Sequence, residues 1–267
     1  MRIGLFIPCY IEHLRPQAGL ATARLLDKLG LDWRYPSRQS CCGQPAYNAG
    51  YPGESLAAAR CFLRAFEPFD AVVAPSGSCI GMIRRYSSLP GFSAAECESA
   101  GALAERSFEL SEFLVRRLGI IDVGARFAAR AAFQDCCHSL RELGLVEEPR
   151  RLLRAVRDLD LVDQPELECC GFGGVYAMKL PELSRVQADE RLDALSRART
   201  STLIVTDVSC LIHLEARAAK RGLPFRGLHL AEVLAPPDEE ALAGIVVIEG
   251  KGAIAPAAGG AAPGARP

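Results

Sequence analysis

Eleven cysteines are distributed along this 267-residue chain, and eight of them recur in two copies of one pattern. In each copy a first cysteine stands 32 positions before a Cys-Cys-Gly triplet, and one more cysteine follows the triplet. The eight are Cys9, Cys41, Cys42 and Cys79 in the first copy and Cys137, Cys169, Cys170 and Cys210 in the second. The first three recur at an offset of 128 residues and the last at 131, which indicates a duplicated structure.

The adjacent cysteines of each triplet point to metal chemistry. Neighbours such as Cys41 and Cys42 do not normally bridge each other, because the small ring would distort the peptide. Structural zinc sites usually combine two short ligand spacings of about two to four residues, whereas each half here has one adjacent pair and two distant cysteines. Soft, all-thiolate ligation at this spacing favours an iron-sulfur cluster, with zinc in one half as the alternative.

Strand-like and helix-like segments alternate between the cysteines. Short apolar runs end just before the first and last cysteine of each half, and segments with helical spacing of apolar residues lie between them. The predicted strands are 2–7, 71–74, 131–133 and 203–205, and the predicted helices include 19–29, 55–66 and 183–198. The order predicts an α/β fold with mainly parallel sheets, in which ligands lie beyond the carboxyl ends of the strands.

The duplication divides the chain into two similar halves. We predict that residues 1–122 and 123–235 each contain their own cluster site with the Cys, Cys-Cys-Gly, Cys pattern. Residues 236–267 are rich in alanine, glycine and proline and are predicted to form a flexible tail, in which 245–248 could add a short strand.

Charge and hydropathy exclude several classes of partner. With 31 basic and 32 acidic residues the net charge is -1, so neither nucleic acid nor an anionic membrane is an expected partner. No apolar run approaches the roughly 18 residues of a membrane span, and the apolar segment 4–8 is too short for a signal peptide. We therefore expect a cytoplasmic protein, in which disulfide frameworks are rare and metal binding best accounts for so many cysteines.

Other reactive side chains have weaker claims to a role. Cys61 and Cys97 stand alone in helical segments and are predicted to be inert, buried thiols. His138 follows Cys137 and is predicted to support the site rather than bind metal. The predicted structural residues are His13, His213, His229, Tyr47 and Tyr176. No Gly-Lys-Ser/Thr follows the glycine-rich run at 171–174, so nucleotide binding is not expected.

Longer stretches around the cysteines resemble the cysteine-rich CCG domain found in heterodisulfide reductase and in the iron-sulfur subunit of glycolate oxidase. The resemblance is closer to the lactate-utilisation protein A family and extends from Arg2 to about Leu234. The motifs that carry it are CCGQPAYN at 41–48, PSGSC at 75–79, Cys137-His138 and CCGFGG at 169–174.

This resemblance implies an iron-sulfur oxidoreductase subunit. It would carry electrons in a complex that oxidises L-lactate to pyruvate, and would be inactive without its partners. Those partners would be a larger ferredoxin-like iron-sulfur protein and a third, smaller subunit. The alternatives are thiol-disulfide chemistry like that of heterodisulfide reductase, a glycolate oxidoreductase subunit, and a zinc-stabilised scaffold.

The resemblance also implies a ligand set. The eight repeated cysteines would hold two 4Fe-4S clusters, four cysteines to each. In heterodisulfide reductase the motif ends Cys-x-x-Cys and a fifth cysteine completes a noncubane cluster, but this chain has Ser76 and Asp207 at those positions. The noncubane geometry is therefore not expected. Cys136 is an extra thiol in the second half that could replace one of the four ligands.

Overall fold

The two halves of the sequence each form a four-stranded sheet in a computed structural model that describes residues 1–163 and 169–237. The strands are β1 Ile3–Leu5, β2 Trp33–Arg34, β3 Ala71–Ala74 and β4 Ser107–Glu109, then β5 Arg126–Gln134, β6 Arg157–Asp163, β7 Thr202–Val205 and β8 Arg226–His229. The orders are β2-β1-β3-β4 and β6-β5-β7-β8, and every neighbouring pair is parallel. The predicted α/β fold with two similar halves is confirmed.

Helices connect the strands in both halves. The first half contains α1 Cys9–Leu14, α2 Pro16–Lys28, α3 Gln44–Ala49, α4 Pro52–Phe66, α5 Gly77–Arg84, α6 Ala94–Glu105 and α7 Leu110–Glu112. The second half contains α8 Cys137–Arg141, α9 Glu147–Arg154, α10 Val175–Lys179, α11 Pro181–Arg197, α12 Val208–Arg221 and α13 Leu230–Leu234. A 3-10 turn at Tyr86–Ser88 and a π-helical turn at Phe113–Arg117 complete the described elements.

Local sequence explains most of these elements. Helices α2, α4 and α11 begin with proline, whose fixed φ suits the first turn and whose missing N–H leaves no hydrogen bond unmade there. Strands β1, β3 and β7 are buried at every position, as expected for central strands covered by helices on both faces.

One hydrophobic core joins the two halves. Leu25 and Phe113 from the first half belong to the same buried cluster as Phe133 and Leu234 from the second. Helix α2 packs against α13 across this boundary, and smaller cores flank the shared one on either side. The halves therefore stabilise each other by burying apolar surface that either alone would expose.

The structure bears on two further expectations, the C-terminal tail and the lack of a membrane span. The predicted strand at 245–248 and residues 238–267 of the predicted tail lie outside the described residues. Within residues 1–163 and 169–237, no helix is both long enough and apolar enough to cross a membrane.

Candidate metal centre

The first and last cysteine of each half lie just beyond the ends of central strands. Cys9 and Cys137 are the first residues of α1 and α8, which follow β1 and β5. Cys79 and Cys210 lie in the first turn of α5 and α12, which follow β3 and β7. Because these strands are parallel, their carboxyl ends meet at one edge of each sheet, and the cysteines gather there as expected.

The Cys-Cys-Gly triplets turn sharply against a helix. Gly43 and Gly171 have φ of 83° and 86°, a region that favours glycine. A Cβ at Gly171 would lie 2.4 Å from the carbonyl oxygen of Ser184 in α11, and one at Gly43 would lie 3.1 Å from that of Ser55 in α4. Glycine is thus required both for the turn and for the close approach to the helix.

Sulfur atoms meet within each half. Cys9 Sγ lies 3.6 Å from Cys41 Sγ, and Cys42 Sγ lies 3.5 Å from Cys79 Sγ. In the second half Cys210 Sγ lies 3.2 Å from Cys170 Sγ and 3.9 Å from the Sγ of the extra thiol, Cys136. Each contact joins cysteines of one half, so the two sets are separate at the level of direct contact.

Both sets nevertheless line a single cleft of about 510 Å³ between the halves. The predicted arrangement of one cysteine cluster in each half is confirmed, and the structure adds that both clusters open into the same cleft. The cysteines that line the cleft are Cys9, Cys41, Cys42, Cys79, Cys136, Cys137, Cys169, Cys170 and Cys210. Tyr10, Phe172, Met178 and His213 also contribute to its wall.

The first cysteine of each triplet is the acidic thiol of its half. Hydrogen bonds from Cys42 and then Cys9 lower the pKa of Cys41 to about 3. Hydrogen bonds from Cys137 and then Cys170 lower the pKa of Cys169 to about 2. The N–H groups of Gly43 and Gly171 point at the same sulfurs, at 3.5 and 3.4 Å. A thiolate is the form that binds metal, so a lowered pKa suits Cys41 and Cys169 to a role as ligands.

The donor sets fit a thiolate-bound cluster. Each repeated set of four has two buried thiols, Cys42 with Cys79 and Cys170 with Cys210, beside two partly exposed ones. Thiolates shielded by apolar side chains are the surroundings in which iron-sulfur centres are held. Among the described residues, no three histidine, cysteine, aspartate or glutamate side chains are arranged to hold a single metal ion.

Comparisons with known proteins cover most of the chain. A family described as "Cysteine-rich domain" (CCG) matches residues 3–84 and 131–215, the two halves of the cleft. "Lactate utilization protein A" of Macrococcus caseolyticus is 39% identical over 235 residues, covering 88% of this chain and 96% of that protein. The chain belongs to the lactate utilization protein A family. The Geobacillus kaustophilus member is 41% identical over 236 residues, covering 88% of this chain and 98% of that protein.

Solved structures match the chain far less closely. Glutamate racemase RacE1 from Bacillus anthracis aligns with 87% of this chain and 78% of its own, at a TM-score of 0.35 and 11% identity. A putative Asp/Glu racemase from Yersinia pestis gives a TM-score of 0.35, also at 11% identity, over 88% of this chain and 95% of its own. Similarity at this level carries no argument about the site.

Ser76 and Asp207, which stand where heterodisulfide reductase has a fifth cysteine, are hydrogen-bonded to each other in this chain. Ser76 Oγ donates to Asp207 Oδ2 at 3.0 Å across the boundary between the halves. Ser78 donates to the same oxygen from its hydroxyl at 2.6 Å and from its backbone N–H at 3.2 Å. The other oxygen accepts from the N–H and hydroxyl of Ser209 at 3.2 and 2.7 Å. Ser76 and Asp207 thus link the two halves, and each also caps the N-terminus of a helix, Ser76 that of α5 and Asp207 that of α12.

Replacing Asp207 with alanine is expected to lower the free energy of unfolding of the apoprotein by about 3 kcal/mol, because several buried or half-buried donors lose this acceptor. Asp207→Asn, which keeps one acceptor oxygen, should cost less. Denaturant unfolding at constant pH measures the difference. Asp160→Ala removes an exposed carboxylate paired with Arg130 and serves as the control, with an expected change within about 0.5 kcal/mol. An Asp207→Ala protein as stable as the wild type would show that this contact does not hold the halves together.

The structure also locates other side chains that were considered in the sequence. His213, which was predicted to be structural, lines the cleft and its Nε2 lies 3.3 Å from Ser184 Oγ. His138 also lines the cleft, and its Nδ1 lies 3.6 Å from Cys137 Sγ. Cys61 and Cys97 do not line the cleft, but both are partly exposed, which corrects the prediction that they are buried.

An aromatic contact in the cleft escaped the sequence reasoning. Tyr10 and Phe172, one from each half, meet there with ring centroids 5.9 Å apart. The repeat provided no signal for this contact, because it forms only when the two halves are brought together.

Proposed function

We propose that this protein is the iron-sulfur, electron-transfer component of a system that oxidises L-lactate to pyruvate. The observation that carries the proposal is the gathering of eight repeat-related cysteines at one cleft in a chain of this family. The name of its relatives supplies the substrate, because no residue of the cleft identifies lactate by itself.

The ligands in the proposal are the four repeated cysteines of each half. Cys9, Cys41, Cys42 and Cys79 would hold one 4Fe-4S cluster, and Cys137, Cys169, Cys170 and Cys210 the other. When bound, each cluster would supply one-electron redox chemistry. Cys136 is buried beside Cys210, and we propose that it stays a neighbouring thiol in the second half.

The arrangement of exposure suits electron exchange. All of the proposed ligands line the shared cleft, and in each set two of them are buried and two are partly exposed. The protein therefore shields one side of each centre from water and leaves the other accessible. We propose that electrons enter and leave through the cleft, and that a partner protein first takes the hydride from lactate.

Anaerobic purification tests the proposal directly. The expected product is a brown protein that absorbs near 400 nm and contains about eight iron and eight acid-labile sulfide atoms per chain. Chemical analysis of iron, sulfide and zinc on one sample gives the measurement. Stoichiometric zinc without sulfide would contradict the proposal and support a zinc-stabilised scaffold.

A further inference from the structure

The helices behind the two Cys-Cys-Gly turns correspond position by position. A Cβ at Gly43 would contact Ser55 and Ala58 of α4, and one at Gly171 would contact Ser184 and Gln187 of α11. Both pairs are separated by 129 residues in the sequence. One helical turn further along, the same offset relates Phe62 to Arg191. The strands give a second correspondence, because the offset of 128 relates Phe6, after β1, to Gln134, at the end of β5.

In the first half this wall is aromatic. Phe6 and Phe62 are completely buried, and their rings meet edge to face with centroids 4.8 Å apart. Phe66 stacks on Phe62 at 4.3 Å, which extends the apolar surface. Neither side chain of the corresponding pair carries a charge or a hydrogen-bonding group here.

In the second half the corresponding wall is polar. Arg191 is only 2% exposed, and its Nη1 and Nη2 have no hydrogen-bond partner among the described residues. Gln134 is 1% exposed, and neither its amide oxygen nor its amide nitrogen has a partner there. A buried guanidinium without a counter-charge is strongly destabilising, so its presence calls for a nearby anion.

Helix α11 packs against the turn at Gly171, and Arg191 takes the place that Phe62 has in the first half, where Phe62 belongs to one buried cluster with Cys42 and Cys79. Burial lowers the pKa of Arg191, and the charges of Cys170, Cys210, Cys169 and Asp135 oppose that change. A guanidinium stays protonated in proteins, so the positive charge is retained. The carboxylate of Asp135 already accepts hydrogen bonds from Arg150 at 2.8 and 2.6 Å. Among the described residues, the second cysteine set is therefore the counter-charge left for Arg191, and it becomes fully anionic when its thiols bind metal as thiolates.

Building on the proposed function, we propose that Arg191 raises the reduction potential of the second-half centre above that of the first-half centre. Reduction adds one negative charge to a cluster, and a buried cation beside it stabilises the reduced form. The aromatic wall around Phe62 provides no such stabilisation in the first half. A single electron added to the protein is therefore expected to reside mainly on the second centre.

Potentiometric titration monitored by electron paramagnetic resonance tests this role in the anaerobically purified protein. In Arg191→Met, one centre should keep its midpoint potential. The midpoint potential of the other centre should fall. Measured at that centre's wild-type midpoint, its ratio of reduced to oxidised forms should drop at least tenfold, which equals a shift of about 59 mV for one electron. Arg191→Lys keeps the charge and should shift much less. Arg217→Met, which removes a guanidinium paired with Asp189 in the same half, is the control and should leave both potentials unchanged.

The possible outcomes separate the two proposals. A wild-type protein without clusters contradicts the proposed function, whereas loaded Arg191→Met protein with both potentials unchanged contradicts the role of Arg191. If Arg191→Met does not hold its second centre, single-centre proteins decide the question. The centre kept in Cys42→Ser should then titrate at a higher potential than the centre kept in Cys170→Ser, and the reverse order would overturn the proposal.

Discussion

Replacing Cys170 with serine is expected to remove about half of the iron and acid-labile sulfide and to leave the rest in place. Cys170 is buried, and its Sγ contacts Cys210 at 3.2 Å within the second half. A serine hydroxyl is a harder donor that does not ionise readily, so it substitutes poorly for a thiolate on iron. Cys42→Ser is the matched change in the first half and should remove the other half of the metal.

The control for both changes is Cys61→Ser. Cys61 lies in α4, is partly exposed and does not line the cleft, so the variant should keep the full iron and sulfide content. Iron and sulfide are measured per chain, with electron paramagnetic resonance spectra of the reduced proteins. Loss of all metal from either Cys42→Ser or Cys170→Ser would mean that the two cysteine sets hold one shared centre.

Because both cysteine sets line one cleft, this experiment is needed to distinguish two neighbouring centres from one shared centre. Direct sulfur contacts stay within each half, but all nine cysteines of the cleft face the same opening. Two centres that share one cleft can influence each other's spectra and potentials, since charges inside a protein are screened less than in water. Partial loss with a shifted spectrum for the remaining centre would therefore agree with two neighbouring centres.

Local patterns in the sequence were sufficient for much of the fold. The β-branched run of β3 and the apolar run of β7 predicted buried parallel strands, and the helices expected at 19–29, 55–66 and 183–198 are present within a few residues of those bounds. Strands β2, β4, β6 and β8 were not predicted. Three of them are only two to four residues long, and four of the seven residues of β6 are charged, so their pairing depends on the neighbouring strand.

The relation between the halves could not be predicted in the same way. The single cleft depends on how α2 packs against α13 and on the hydrogen bond between Ser76 and Asp207. Neither contact has a local pattern, because each joins residues far apart in the chain. The sequence does contain the correspondence between Arg191 and Phe62. Finding it requires an alignment of α4 with α11, which the cysteine spacing alone does not give.

Deleting the gene is expected to abolish growth on L-lactate and to leave growth on pyruvate unchanged. Pyruvate is the product of the proposed oxidation, so cells supplied with it bypass the missing step. Wild-type protein should restore growth on lactate, whereas Cys169→Ser should not, because it removes one of the four proposed ligands of the second centre. Cys97→Ser, a change in α6 outside the cleft, is the control and should restore growth fully. Unimpaired growth of the deletion strain on lactate, in a background without another lactate dehydrogenase, would refute the pathway and favour glycolate or a disulfide as the substrate.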